Sequence, residues 1–97
     1  MLKLLKVRGV SLWPEVQDGE YVLAARFPIL FRIRPGHLVV FRRPGGQVLI
    51  KRVERIEPDG SYFVRGSHPE SVDSREFGPV APGNVIGRVV WRWSNRG

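Results

Sequence analysis

Two residues of this chain, Ser11 and Lys51, have types and settings that could together carry out nucleophilic catalysis. Ser11 follows Gly9-Val10 at the end of a strand-like run, where its hydroxyl would be exposed. Its backbone N–H could also point at a substrate carbonyl oxygen, as acyl transfer requires. Lys51 lies in the apolar run 48–53, where burial would lower the pKa of its amine towards neutrality. A serine nucleophile with a neutral lysine as its base is therefore one chemistry open to the chain.

Other interpretations of these residues remain open from the pattern alone. Lys51 could extend from the solvent-facing side of an edge strand, and the apolar run by itself favours that simpler reading. The two histidines, His37 and His68, lie in turn-like segments beside Gly36 and Pro69 and give little support to a Ser–His–Asp triad. The absence of cysteine excludes a thiolate zinc site and a disulfide framework, and two histidines in separate turns do not predict a metal or cofactor.

Short β-strands must position these residues, because Gly, Pro and Asp turn signals recur along the whole chain between runs of β-branched and aromatic residues. No window has a helical period over three turns, although one helical turn is predicted around Trp13–Val16. Pro58-Asp59-Gly60 predicts a hairpin. We therefore expect a mostly β fold, either a compact, partly closed β-barrel or a pair of packed curved antiparallel sheets. The predicted strands are Lys3–Arg8, Tyr21–Arg26, Leu38–Arg42, Val48–Ile56, Tyr62–Arg65 and Val85–Trp93, with Val89, Trp91 and Trp93 on one face of the last.

Length, composition and charge limit the class of protein. Ninety-seven residues predict one domain over residues 1–97, and 42% hydrophobic with 26% charged residues is typical of a globular chain. The net charge of +7 would attract nucleic acid, anionic lipid or an acidic protein without choosing between them. The longest nearly apolar stretch, 21–31, is shorter than the roughly 20 residues of a membrane-spanning helix, and no secretory signal is recognisable. We therefore expect a soluble, cytoplasmic protein.

Three sequence blocks resemble the peptidase domain shared by type I signal peptidases and LexA-like self-cleaving repressors. The run Gly9-Val10-Ser11-Leu12-Trp13-Pro14 is similar to the nucleophile box of that family. Residues 34–41 followed by Ile50-Lys51-Arg52-Val53 are similar to the strand pair that ends in the lysine box. Residues 66–80 are similar to the closing box, and their Asp-Ser-Arg-x-Phe-Gly run is the most specific part. The blocks stand in the order of the family and span nearly the whole chain.

The resemblance implies a division of roles within the predicted site. Ser11 would attack the scissile carbonyl and contribute its N–H to the oxyanion hole, while neutral Lys51 would take the proton of Ser11 and pass it to the leaving amine. Substrate would bind as an added strand between residues 4–10 and 48–51, with main-chain hydrogen bonds supplying affinity. The residues expected to contact it are Gly9, Val10, Leu12, Leu49 and Ile50.

The same resemblance assigns supporting roles to four further residues. Ser71 matches a serine that hydrogen-bonds and orients the catalytic lysine. Asp73 and Arg75 match a structural ion pair that braces this corner, with Arg52 as a third member. Gly9 stands where some members place a hydroxyl residue, so a second oxyanion donor does not follow from the sequence.

The resemblance therefore implies a serine endopeptidase that removes a leader or propeptide from a protein precursor and needs no cofactor. A missing membrane anchor and the short span from Lys51 to Gly66, with no room for an inserted β-domain, make the chain most similar to the small maturation proteases associated with nickel-dependent superoxide dismutase. Leu2, Leu4 and Leu5, or the segment 27–31, could provide peripheral contact with a membrane surface.

Two readings without catalysis compete with this one. A nucleic-acid-binding β-barrel would explain the basic charge and the aromatic residues near Trp91 and Trp93, but not the Asp-Ser-Arg-x-Phe-Gly run. An inactive, peptidase-like interaction domain would keep the fold and lose the chemistry.

Overall fold

A computed structural model of the chain describes residues 2–6, 19–26, 32–66 and 72–93. These ranges contain six β-strands, one short helix, α1, and a 3-10 turn at Pro82–Asn84, so the predicted mostly β class is confirmed. Predicted and observed strands agree within two residues at each end, whereas the predicted turn at Trp13–Val16 lies outside the described residues. The elements are β1 Leu2–Lys6, β2 Tyr21–Ala25, β3 Leu38–Arg42, β4 Val48–Ile56, β5 Tyr62–Arg65, α1 Ser74–Phe77 and β6 Val85–Trp93.

The six strands form one antiparallel sheet in the order β1-β2-β6-β3-β4-β5. The last described strand, β6, therefore lies between β2 and β3 and joins the pair β1–β2 to the other three strands. Within the ranges that the structure describes, β1 and β5 do not pair with each other. The described strands thus form one sheet that is not closed, within the mostly β, antiparallel class that the sequence predicts.

Apolar side chains pack on both faces of this sheet, as alternation along the strands requires. The first face, defined here as the side that carries Val39, holds the larger cluster; the second face is the side that carries Val22. Lys51 pairs with Val39 and so belongs to the first face. The buried cluster of the first face is Val39, Phe41, Val53, Val64, Val80 and Val85, and the second-face cluster is Val22 with Leu5, Leu38, Ile50 and Val89.

The hairpin predicted at Pro58-Asp59-Gly60 is confirmed. The N–H of Gly60 donates to the carbonyl oxygen of Glu57 at 2.9 Å, and Gly60 adopts a φ of 89°, which favours glycine. The Asp59 carboxylate accepts hydrogen bonds from the N–H and the hydroxyl of Ser61 at 2.9 and 2.6 Å. These bonds fix the register of β4 against β5.

A β-bulge in β6 changes the face assigned to its tryptophans. Leu23 pairs with Trp91 while the next residue, Ala24, pairs with Val89, so β6 has one extra residue at this point. Val89 and Trp91 therefore lie on opposite faces, and the prediction that they share a face is wrong because it assumed unbroken alternation. Trp91 pairs across the sheet with Leu23, which in turn pairs with Leu4.

The outer end of the sheet exposes several large apolar side chains. Trp91 is 63% exposed and Leu4 is 55% exposed, whereas Leu5 packs against Val22. Of the residues predicted to touch a membrane, Leu2 and Leu4 are thus available at the surface, Leu5 is partly buried, and residues 27–31 lie outside the described ranges. Membrane contact itself stays a prediction.

Candidate functional site

Lys51 is a buried lysine on β4. Its strand, β4, pairs with β3 on one side and with β5 on the other, and the residue is 1% exposed. The interpretation as a solvent-facing residue on an edge strand, which the sequence pattern alone favoured, is therefore wrong. Burial lowers the pKa of Lys51 to about 8, although the nearby Asp73 carboxylate acts in the opposite direction. At weakly basic pH a large fraction of this amine is neutral.

The amine of Lys51 is suited to accept a proton. Within the described ranges it donates no hydrogen bond and forms no ion pair, so the nearby Asp73 carboxylate acts on it only through its charge. A base works best when its pKa lies near the working pH, and a desolvated lysine with a pKa of 7–8 meets that requirement. A neutral amine of this kind could serve as a general base for a neighbouring hydroxyl group.

Asp73 is the second buried ionisable group of the site, and it caps the N-terminus of α1. Its Oδ1 accepts hydrogen bonds from the backbone N–H and the Nε of Arg75, both at 3.0 Å. Its Oδ2 accepts from the Nη2 of Arg75 at 2.9 Å and from the backbone N–H of Gly66 at 3.1 Å. Four donors thus satisfy one carboxylate, and the arginine binds it in a bidentate manner.

These bonds decide the charge of Asp73. Burial by itself raises the pKa of a carboxyl group, but the side-chain bond from Arg75, the backbone N–H groups of Gly66 and Arg75, and the positive charge of Arg75 outweigh it. The net result lowers the pKa of Asp73 to about 2. Asp73 is therefore ionised at any pH at which a peptidase with a lysine base could work.

The start of α1 lies against the edge of β5 that faces away from β4. The N–H of Val64 donates to the hydroxyl of the buried Ser74 at 2.8 Å, and the N–H of Gly66 donates to Asp73. Because β5 pairs Arg65 with Arg52, Gly66 follows at the level of Lys51. The two side chains thus satisfy edge N–H groups and bring Asp73 towards Lys51.

Sequence reasoning missed α1 and the role of Ser74. A helix of one turn has no hydrophobic period to detect. The signal that could have found it is the Asp73-x-x-Glu76 spacing, which resembles an N-terminal capping box.

The structure brings together only part of the predicted site. Lys51, Asp73 and Arg75 cluster at one corner, and Arg52 donates from its Nη1 to the carbonyl oxygen of Gly36 at 2.6 Å. The expected place of Arg52 beside the Asp73–Arg75 pair stays a prediction. Five predicted residues lie outside the described ranges: Gly9, Val10, Ser11, Leu12 and Ser71.

Leu49 and Ile50, the other predicted substrate contacts, precede Lys51 in β4. Leu49 pairs with Phe41 and packs on the first-face cluster, while Ile50 pairs with Val40 on the second face. The pairing of β4 with β5 begins only at Arg52, so the segment 48–51 extends past the described end of β5.

His37 has a structural role in the turn before β3. Its Nδ1 accepts a hydrogen bond from the backbone N–H of Arg34 at 3.0 Å. Partial burial, together with the positive charges of Arg88 and Arg34, lowers the pKa of His37. Among residues that the structure describes, no group of acidic and histidine side chains could hold a metal ion, and no helix is long and apolar enough to cross a membrane.

The buried amine of Lys51 makes the stability of the fold depend on pH. Its pKa is lower in the folded chain than in the unfolded chain, so the unfolded chain binds more protons between about pH 8 and 10.5 and stability rises with pH in that window. From pH 7 to pH 10 the free energy of unfolding of the wild type should rise by about 2–3 kcal/mol relative to Lys51→Met. Urea unfolding of both proteins across this range measures the difference, and parallel curves would show that the amine is not desolvated.

Known proteins similar to this chain are peptidases. Residues 54–94 match the family model of signal peptidase, peptidase S26, a range that includes Asp73 and Arg75 but neither Ser11 nor Lys51. Signal peptidase I V from Bacillus subtilis (strain 168) is 28% identical over 136 residues, which cover 87% of this chain and 81% of that protein. Because that alignment is longer than the chain, the relative has residues without a counterpart here.

A plant protein gives a shorter match of higher identity. Mitochondrial ATP-independent inner membrane protease subunit 1b from Arabidopsis thaliana is 50% identical over 38 residues, 38% of this chain and 22% of that protein.

Proposed function

We propose that the chain is a serine endopeptidase of the signal peptidase I-like superfamily, with Ser11 as nucleophile and Lys51 as general base, because the proteins it is similar to support a serine peptidase-type function. Under this proposal residues 1–97 form one catalytic domain and act on a protein precursor. The predicted cytoplasmic location is part of the proposal.

The observation that carries the proposal is the buried Lys51 with its pKa of about 8. The hydroxyl proton of Ser11 passes to the neutral amine of Lys51 as the serine oxygen bonds to the scissile carbonyl carbon. The resulting ammonium group then donates that proton to the leaving nitrogen as the C–N bond breaks, which yields an acyl-serine and a new amino terminus. Water, deprotonated by the same amine, hydrolyses the ester and restores both residues.

The Asp73–Arg75 corner supports this chemistry without taking part in proton transfer. A carboxylate that stays ionised beside the base raises the pKa of Lys51, while burial lowers it. These two opposing effects keep the pKa of Lys51 near 8. At that value a useful fraction of the amine is neutral, and it is still basic enough to remove a hydroxyl proton. Asp73 and Arg75 are therefore positioning residues in this proposal.

The substrate is an extended segment of a precursor, laid along the part of β4 before Lys51. Residues 48–51 of β4 lie beyond the described pairing with β5, which supports a strand-addition mode of binding at Leu49 and Ile50. In this proposal the bound substrate lies between β4 and a second segment of the chain, and Gly9, Val10 and Leu12 contact it from that second side. A leader peptide is the expected product, and the precursor of a nickel-dependent superoxide dismutase is one candidate substrate.

The experiment is mass-spectrometric mapping of new protein amino termini in an extract of the source organism. Wild type, Ser11→Ala and Lys51→Met are incubated separately, after circular dichroism has established that each is folded. New amino termini produced by the wild type alone would establish the dyad and identify the substrate. Identical termini from all three folded proteins would overturn the proposal and leave an inactive interaction domain or a basic binding domain.

A further inference from the structure

A cavity of about 370 Å³ opens at the end of the sheet where β1 begins and β2 and β3 end. Three cationic side chains line it: Lys3, Arg26 and Arg42. Lys3 pairs with Ala24, and Arg42 follows Leu38 and Val40 at even spacing, so both belong to the second face, opposite to Lys51. The cavity is thus separate from the proposed catalytic site and independent of it.

No carboxylate of the described chain lines this cavity. Lys3 and Arg26 form no ion pair with a described residue, and Arg42 donates to a neutral acceptor, the carbonyl oxygen of Gly46, at 3.1 Å. The ion pairs of the described ranges involve Arg55, Arg65 and Arg75 instead. The acidic residues that the structure describes lie elsewhere in the fold, at Glu20, Glu54, Glu57, Asp59, Asp73 and Glu76.

Three cations around one concave surface create a positive potential that a bound anion would relieve. Cavities lined by one sign of charge concentrate ions of the opposite sign, because their low-dielectric walls focus the field. Arginine guanidinium groups bind the oxygens of phosphate in a bidentate manner, and lysine adds a point charge. The side-chain amide of Asn84, also in the lining, can donate a further hydrogen bond.

The size and the walls of the cavity limit the ligand. Its volume lies within the range of small-molecule sites, and Ala24, Val85 and Ile86 provide apolar walls beside the cations. We propose that this cavity binds a phosphate-bearing ligand through Lys3, Arg26 and Arg42. The phosphate groups belong either to a free, small polyphosphate or to the headgroup of an anionic lipid, since the same three side chains recognise both.

The test is isothermal titration of the chain with sodium pyrophosphate at low and at physiological salt. Lys3→Gln, Arg26→Gln and Arg42→Gln should each weaken binding about tenfold, because each removes a hydrogen bond to a charged group. Ser11→Ala should bind as the wild type does, which keeps this result distinct from that of the peptidase proposal. Circular dichroism establishes that each variant is folded.

Two matched variants test whether the loss of affinity comes from the lower net charge alone or from the position of the charge that is removed. Arg65→Gln removes one positive charge at the distant β5, and Arg32→Gln removes one from a neighbouring cavity of about 430 Å³ that Arg26 also lines. Both should retain affinity within about twofold of the wild type. Failure of the folded wild type to bind pyrophosphate, or equal weakening by either control, would overturn the proposal.

The source of the phosphate is decided with vesicles of phosphatidylcholine, prepared with and without phosphatidic acid. The ligand is a lipid headgroup if the chain sediments with vesicles that contain phosphatidic acid and not with pure phosphatidylcholine vesicles. Pyrophosphate and the Arg26→Gln substitution should each reverse this sedimentation. Pyrophosphate binding without vesicle binding identifies a soluble ligand, and vesicle binding unaffected by Lys3→Gln, Arg26→Gln and Arg42→Gln would contradict the site.

Discussion

Lys51→Met should lower kcat/KM for peptide hydrolysis by about a thousandfold while the chain stays folded. Methionine has a similar length and fits an apolar, buried position, but it cannot accept the proton of a serine hydroxyl. In the wild type, kcat/KM should rise tenfold per pH unit below about pH 8 and level off above it, because only neutral Lys51 acts as a base. Initial rates on a peptide that contains the mapped cleavage site, measured from pH 6 to 10, give both quantities.

Two further variants test whether the loss of activity comes from removing the amine of Lys51. Arg34→Met replaces an exposed cation in the turn before β3 and should leave the rate unchanged. Ser11→Ala combined with Lys51→Met should be no slower than either single variant, because residues that act as one unit are not additive. A folded Lys51→Met protein with the activity and pH profile of the wild type would exclude Lys51 as the base.

Asp73→Ala should lower the free energy of unfolding by about 3 kcal/mol, since it removes the cap of α1 and leaves edge N–H groups without an acceptor. For a domain of this size, that corresponds to a fall in Tm of about 12–24 °C. The folded chain lowers the pKa of Asp73, so its contribution is complete above about pH 4 and is lost as pH falls towards 2. Thermal unfolding between pH 2 and 7 measures both effects.

The pH dependence of the rate shows whether Asp73 also positions and tunes Lys51 or only stabilises the fold. Without the carboxylate that raises its pKa, Lys51 should lose its proton at lower pH, and the rate profile of Asp73→Ala should shift in that direction. Asp59→Ala, which removes another turn aspartate that accepts bonds from Ser61, is the matched control and should leave the profile unchanged. An unshifted profile for a folded Asp73→Ala protein would restrict Asp73 to a structural role.

The strands were predictable because each is a short apolar run between strong turn signals. The strands Val48–Ile56 and Tyr62–Arg65 illustrate this, because Pro58-Asp59-Gly60 between them strongly favours a reversal of the chain. The order of the sheet was not predictable, because pairing between β2 and β6 joins residues far apart in sequence and leaves no local pattern. The bulge at Val89–Trp91 was missed for the same reason, as it is defined only against Leu23 and Ala24 of the partner strand.

The burial of Lys51 shows where local pattern fails at the site. A lysine among valines and isoleucines is typical of a strand with one solvent-facing side, whereas Lys51 is 1% exposed in the folded chain. The resemblance to a peptidase family led to the right expectation of burial, and pattern alone did not. Ser11 and Ser71 stay predictions from that resemblance.

The central place of β6 has a consequence for how the chain acquires its structure during synthesis. β1 and β2 can pair early, as can β3, β4 and β5, but these two groups do not pair with each other in the described sheet. The strand that joins them follows both groups in the sequence, so the two groups cannot dock through it until β6 has left the ribosome. Until then both groups present an unpaired edge, and this interval is when the nascent chain most needs protection from aggregation.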